Sequence, residues 1–149
     1  VDGTLYHYFA NKIELLQILQ ENFEKEIIGR IQSRMENCPA DDWRGRMKAW
    51  IDGAVDAYFD LSELHDIVIY GSGMPFRNAM ADSIITRHLA ELIHEGAEAG
   101  AWHADDIRWT AGMMFYSFRG GCDEAMIGTQ PAENIPQKLY DLFVRILGM

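Results

Sequence analysis

LQILQENFEKEIIGRIQSRM, residues 16–35, is the stretch on which the fold turns. Its apolar residues Leu16, Leu19, Phe23, Ile27, Ile31 and Met35 recur at steps of three or four, which holds them on one face of an α-helix. A half-buried strand would need strict alternation instead. Just upstream, Asn11 can cap the amide of Glu14, whose carboxylate reaches back toward the cap. Downstream, Pro39 pushes Cys38 out of helical geometry. The pattern predicts one long helix over about residues 11–37.

The same period continues outward. Asp41 and Asp42 suit a helix N-terminus, and the run behind them carries Trp43, Met47, Trp50, Ile51, Val55, Tyr58 and Phe59. Ser62 can cap a shorter segment through Tyr70. Its Ile67-Val68-Ile69 core is β-branched and has strand character, but no partner strand is evident, so the segment is read as helix. Gly71-Ser72-Gly73 with Pro75 breaks the chain. A helix is expected from about Pro75 to Ala99, stopped by Gly100, and another from Asp105-Asp106 through about Ile127, ended by Gly128. Pro131 or Pro136 starts the last, which carries Leu139, Leu142, Phe143, Ile146 and Leu147. The expected architecture is an all-α helical bundle of five or six helices in one domain-sized chain of 149 residues.

Composition narrows the function. Lys+Arg is 13 against Asp+Glu 23, a net charge of −10, which argues against a surface that grips nucleic acid throughout and against anionic membranes. No apolar run approaches the length of a membrane span, and no signal peptide is evident. Cys38 and Cys122 are far apart and fit no zinc pattern, so they read as reduced thiols of a cytoplasmic protein. The chain opens on Val1 rather than Met, which is expected to reflect processing or a start partway into a longer product.

Residues 3–16 read Gly-Thr-Leu-Tyr-His-Tyr-Phe-Ala-Asn-Lys-Ile-Glu-Leu-Leu. Physically this is a short helix end with Leu5 and Phe9 inward, four apart, and Thr4, Tyr6, His7 and Tyr8 on the other faces. Asn11 then stops that helix and caps the next. Hydroxyls, a ring nitrogen and Lys12 at a helix start are groups that hydrogen-bond phosphate oxygens. The stretch resembles the end of the DNA-binding region of TetR-family transcriptional regulators, where such a pattern closes a helix-turn-helix recognition helix and opens the long helix to the regulatory domain. The resemblance implies a TetR-type C-terminal regulatory domain. Residues 1–12 would be the C-terminal remnant of the helix-turn-helix DNA-binding domain, and residues 13–149 the ligand-binding and dimerisation domain. Thr4, Tyr6, His7, Tyr8 and Lys12 would face DNA. The two helices that precede the motif in the family, and half of the recognition helix, are absent from the sequence, so specific operator binding is not expected of it alone. The basic reading head is expected upstream.

The resemblance also implies a small-molecule pocket between the middle helices. Trp50, Tyr58, Tyr70, Met74, Trp109, Met113 and Phe118 are the candidate wall, since pockets are commonly apolar and aromatic with a few polar anchors. Arg77, His88, Arg119 and Glu124 are candidate anchors. Gly112, Ser117, Gly120 and Gly121 are small residues within a helical pattern, where glycine costs roughly 1 kcal/mol against alanine, so a close helix–helix approach is expected there. In the family the last two helices form a two-fold interface, which makes Tyr116, Gly120, Asp123, Leu139, Phe143 and Ile146 candidates for a homodimer contact.

Other constellations carry less. Gly71-Ser72-Gly73 lacks the frame of a phosphate loop or a nucleophile elbow. His94-Glu95 lacks the second histidine of a metalloprotease helix, and His88, Glu91 and His94 drift around their helix. Neither catalysis, a cofactor nor a metal is expected. The reading is a ligand-responsive regulator, a repressor released from operator DNA by a small apolar or aromatic effector. The alternative is a helical small-molecule binding protein or enzyme with no DNA role, and a third possibility is a dimeric helical scaffold with a filled core.

Overall fold

A computed structural model describes residues 2–71 and 83–149. Among these residues six α-helices follow one another without a strand: α1 Asp2–Glu36, α2 Trp43–Asp60, α3 Ser62–Gly71, α4 Ile84–Glu98, α5 Ile107–Met126 and α6 Ile135–Leu147. A single 3-10 turn, Ala132–Asn134, leads into α6. The protein is all-α, and the β-branched run of α3 is helical.

The face read from residues 16–35 does enter the core: Leu16, Phe23, Ile27 and Ile31 are all buried. Phe23, Ile27 and Ile31 join Met47, Trp50, Ile51, Ala54, Val55 and Tyr58 of α2 in one core, which continues through Leu89 and Ile93 of α4, Met114 and Phe118 of α5, and Phe143 of α6. Each large apolar side chain so buried contributes ~1.5–3 kcal/mol. The backbones of α1 and α2 close together at Gly53, where a Cβ would stand 2.9 Å from Ile31 Cα. Arg30 pairs with Glu26 and Asp60, and Arg34 with Asp56, along the outer seam of these two helices.

The starts and stops have visible causes. Asp42 caps α2 by accepting from the Gly45 amide at 3.0 Å, and Asp106 caps α5 by accepting from the Trp109 amide at 3.1 Å. Gly100, Gly128 and Gly148 follow α4, α5 and α6 with φ of +79°, +84° and +66°, a conformation that favours glycine. In the α4–α5 connection, Trp102 folds back over Gly96 and donates its indole N–H to the Ile93 carbonyl at 2.7 Å. The His103 amide bonds the Leu147 carbonyl at 3.1 Å, which ties that loop to the end of α6.

Two boundaries differ from the sequence expectation. No turn occurs at Asn11, because α1 runs unbroken from Asp2 to Glu36. A turn there would have to be enforced by packing Leu5 and Phe9 against another element, yet Leu5 is 60% exposed, and among the described side chains, which do not include that of Phe9, the buried face starts at Leu16. Without such packing, extending an existing helix through one asparagine costs less than ending it and nucleating another. The second difference is the start of α4. Ser83 is extended (φ −59°, ψ 137°) and caps α4 by accepting from the Ile85 amide, so α4 begins at Ile84 and the helix expected over about 75–99 is not continuous through Ser83; residues 75–82 lie outside the described residues. Both proline expectations for the last helix hold in part: Pro131 precedes the 3-10 turn, and Pro136 sits in the first turn of α6. Among the described residues no helix is long and apolar enough to cross a membrane.

Candidate functional site

Three places could carry function, and each is built by a different stretch of helix. The first is the front of α1. Thr4, His7, Tyr8 and Lys12 are all exposed there. Thr4, Tyr8 and Lys12 stand four apart and form one column on the helix, with His7 beside it. The Tyr6 side chain lies outside the described ones. The column offers two hydroxyls and one cation, a set suited to hydrogen-bonding an anion and too weakly charged to hold one by attraction alone.

The second place is the centre of the bundle. Here Phe118 of α5 meets Trp50 edge-on at 5.9 Å and Tyr58 edge-on at 5.7 Å. The polar tips are occupied inside the chain. Trp50 donates its indole N–H to His88 Nδ1 at 3.1 Å, so the neutral imidazole carries its proton on Nε2. Burial holds His88 below the ordinary histidine range, opposed by Glu91 and Glu95. The Tyr58 hydroxyl donates to Asp123 Oδ1 at 2.9 Å, and burial, reinforced by that carboxylate, pushes its pKa up. Beside Tyr58 and Phe118 is a cavity of about 20 Å³, also lined by Phe23, Glu24, Ser83 and Arg119. That is room for about one water molecule, far below the several hundred Å³ of a drug-sized site. Burial raises the Glu24 pKa, and the Gln20 side chain, Arg87 and Ser83 partly offset it.

The third place is a groove of about 260 Å³ between α4 and α5, lined by Thr86, Asp106, Arg108, Trp109, Gly112, Met113, Phe115 and Tyr116. Trp109 is 65% exposed, and Met113 and Tyr116 are also exposed. Nothing lies within 4 Å of where a Cβ would stand at Gly112. Thr86 is buried, and its hydroxyl has no hydrogen-bond partner.

The residues expected to form one pocket are therefore divided. Trp50 belongs to the filled core, Tyr58 and Phe118 border the one-water cavity, and Trp109 and Met113 stand in the outer groove. The side chain of Tyr70 and all of Met74 and Arg77 lie outside the described residues. Of the remaining anchors, His88 is engaged by Trp50, Arg119 is buried at the small cavity, and Glu124 is exposed and accepts from the Thr129 hydroxyl. The candidate interface divides as well. Tyr116, Gly120 and Ile146 are exposed, and Asp123 is half-buried against Tyr58. Leu139 and Phe143 are buried in the chain's own core, so they reach a partner only through their neighbours. Gly121 is explained within the chain, since a Cβ there would meet Leu139 at 3.4 Å, whereas Gly112 and Gly120 face open space.

Thr86 escaped the sequence reading because one hydroxyl in the run Ile84-Ile85-Thr86 leaves the helical pattern unchanged. Gly112 did leave a signal, as a glycine within a helix, although its neighbour proved to be empty space. Among the described residues no three His, Cys, Asp or Glu side chains converge as a metal site. The chain matches no protein-family model, no curated protein and no solved structure.

Proposed function

We propose that this chain is the sensing and dimerising body of a ligand-responsive transcriptional regulator of the TetR type, a repressor that acts as a homodimer and leaves operator DNA when a small apolar or aromatic effector binds. One observation carries the reading. The Gly3–Phe9 and Asn11–Leu16 motif runs directly into a single helix whose later turns, Phe23, Ile27 and Ile31, are core. A helix of 35 residues is about 50 Å long, enough to carry a displacement from the body to a DNA-reading end. Thr4, Tyr6, His7, Tyr8 and Lys12 would contact the phosphate backbone. The exposed Tyr116, Gly120 and Ile146 would form the two-fold contact. For an effector to act it must bind the two conformations of the body unequally.

The test uses the complete gene product. Selection from random duplex DNA is expected to enrich a palindrome, and a panel of aromatic and aliphatic effectors is expected to contain one that lowers its affinity at least ten-fold. Failure to enrich any sequence would refute the DNA role. A second reading is a helical small-molecule binding protein with no DNA role, favoured by the unbroken passage of α1 through Asn11, where a helix-turn-helix would turn.

A further inference from the structure

Two polar links join α4 to α2 from one face of α4, two turns apart. His88 Nδ1 accepts the Trp50 indole N–H at 3.1 Å, and Glu95 takes the Arg46 guanidinium at 3.3 Å. The two halves of α4 are held differently beyond these links. Beside Glu95, the Trp102 ring plugs Gly96 and bonds the Ile93 carbonyl, which pins the C-terminal half from a second side. In the N-terminal half Ile85 and Leu89 are buried, and the Trp50–His88 bond ties the second turn to α2. An indole N–H only donates, so that bond exists only while His88 Nδ1 carries no proton. A proton there would set two N–H groups against each other at 3.1 Å. Trp50 has no room to yield, being fully buried and packed edge-on against Phe118 at 5.9 Å. His88 has room. It is half-buried and borders two surface depressions, one carrying Glu36, Cys38 and Arg46 on its walls and the other Arg87 and Glu91.

We propose that the Trp50–His88 pair is a proton-operated latch: a proton on His88 Nδ1 turns the ring away from Trp50 toward solvent and frees the N-terminal half of α4 from α2, while the C-terminal half stays pinned. The charged groups around His88 set its operating range. From its own helix, Glu91 and Glu95 favour the charged ring and Arg87 opposes it. From α2, Arg46 opposes it, with its own charge engaged by Glu95, and from the end of α1 Glu36 favours it. Burial and the bond itself both favour the neutral ring. Together they outweigh the carboxylates and hold His88 below the ordinary histidine range. The latch is therefore shut at neutral pH and opens on mild acidification. Its release reaches a second feature of the bundle, because Ser83 and Ile85, at the freed end, also wall the small cavity beside Tyr58. The latch does not depend on the DNA-binding reading.

The test follows the Trp50 indole N–H of the ¹⁵N-labelled protein from about pH 8 to about pH 4.5, a range that brackets histidine titration. The Trp102 indole, bonded to a backbone carbonyl that does not titrate, is the internal control. The Trp50 signal is expected to move in one step, together with the His88 ring signals and with a midpoint below about 6.5, while the Trp102 signal stays in place. Amide exchange, corrected for its intrinsic pH dependence, should quicken at least about five-fold over residues 85–89 below that midpoint and hold steady over residues 93–96. His88→Asn, which keeps an acceptor for Trp50 and does not titrate, should abolish both responses. Trp50→Phe removes the donor and leaves an aromatic ring in its place. It should raise the His88 midpoint by about half to one pH unit, the equivalent of one neutral hydrogen bond. Four results would overturn the inference: His88 titrating while the Trp50 indole stays still; exchange quickening evenly along α4; an unmoved midpoint in Trp50→Phe, which would make burial the sole cause; or global unfolding before the Trp50 signal moves.

Discussion

Trp102 and Trp109 each sit beside a helical glycine, and the two pairs have opposite outcomes. At Gly96 the Trp102 ring fills the space a side chain would take, with its Cζ2 2.0 Å from where a Cβ would stand, and its indole N–H is bonded to a backbone carbonyl. At Gly112 that space is empty and Trp109 is mostly exposed. Trp43 braces the first pair edge-on at 5.8 Å, and the Arg46 guanidinium stacks on Trp43 in turn. A Gly-plus-Trp pairing on paper is therefore a core plug or an open groove, depending on where the chain around it leads. The loop after α4 brings Trp102 back over its own helix, whereas Trp109 projects from the first turn of α5 and stays largely exposed.

The widest separation between the two pairs should appear on truncation. Trp102→Ala is expected to cost about 3–5 kcal/mol, the range for a large aromatic lost from a core. Trp109→Ala should fall within about 0.5 kcal/mol of the wild type. Urea denaturation of both variants measures the gap, and equal midpoints would erase the contrast. Next come the glycines. Gly96→Ala forces a methyl into the Trp102 ring and should destabilise by about 2–3 kcal/mol, whereas Gly112→Ala should stabilise by up to about 1 kcal/mol. The opposite signs are the informative feature, and thermal melts of the two variants would show them.

Thr86→Val comes next. Removing a buried hydroxyl that has no partner should stabilise the free protein by about 1 kcal/mol, and a loss of stability instead would mean the hydroxyl is satisfied in solution. The smallest expected effect is a pH dependence at the core. His88 has a folded-state pKa below its ordinary value of about 6.5, so between the two values the unfolded chain binds more protons than the native one. Stability therefore rises with pH through that window, and falls as pH is lowered from about 6.5 toward the depressed pKa. His88→Asn, which keeps an acceptor for Trp50, should flatten that part of the profile relative to the wild type.

Much of this architecture was readable because it is local. The four-residue steps of Phe23, Ile27 and Ile31 announced both a helix and its buried face, and Asp42 and Asp106 announced helix starts by cap chemistry. The misplaced boundaries, at Asn11 and at Ser83, lie where a residue serves equally as a cap or within a helix. Asn11 is a good cap and an acceptable helix residue, and only packing around Leu5 could have decided between them. The candidate sites were less legible. Trp50, Tyr58, Trp109 and Met113 look alike in a sequence, as apolar or aromatic residues at helical spacing. Trp50 and Tyr58 became core because α5 laid Phe118 against both, whereas Trp109 and Met113 stayed exposed.

The sequence by itself determined the helical class, most helix ends and the faces that turn inward, because each depends on residues within a few positions of one another. It also carries the front motif, on which the proposed DNA role rests. Tertiary structure decided which aromatic residues are spent in the core, which glycines meet a neighbour and which face a void, and that the Thr86 hydroxyl is buried without a partner. Those outcomes depend on the approach of helices far apart in the chain, and burial is settled only when the second surface arrives.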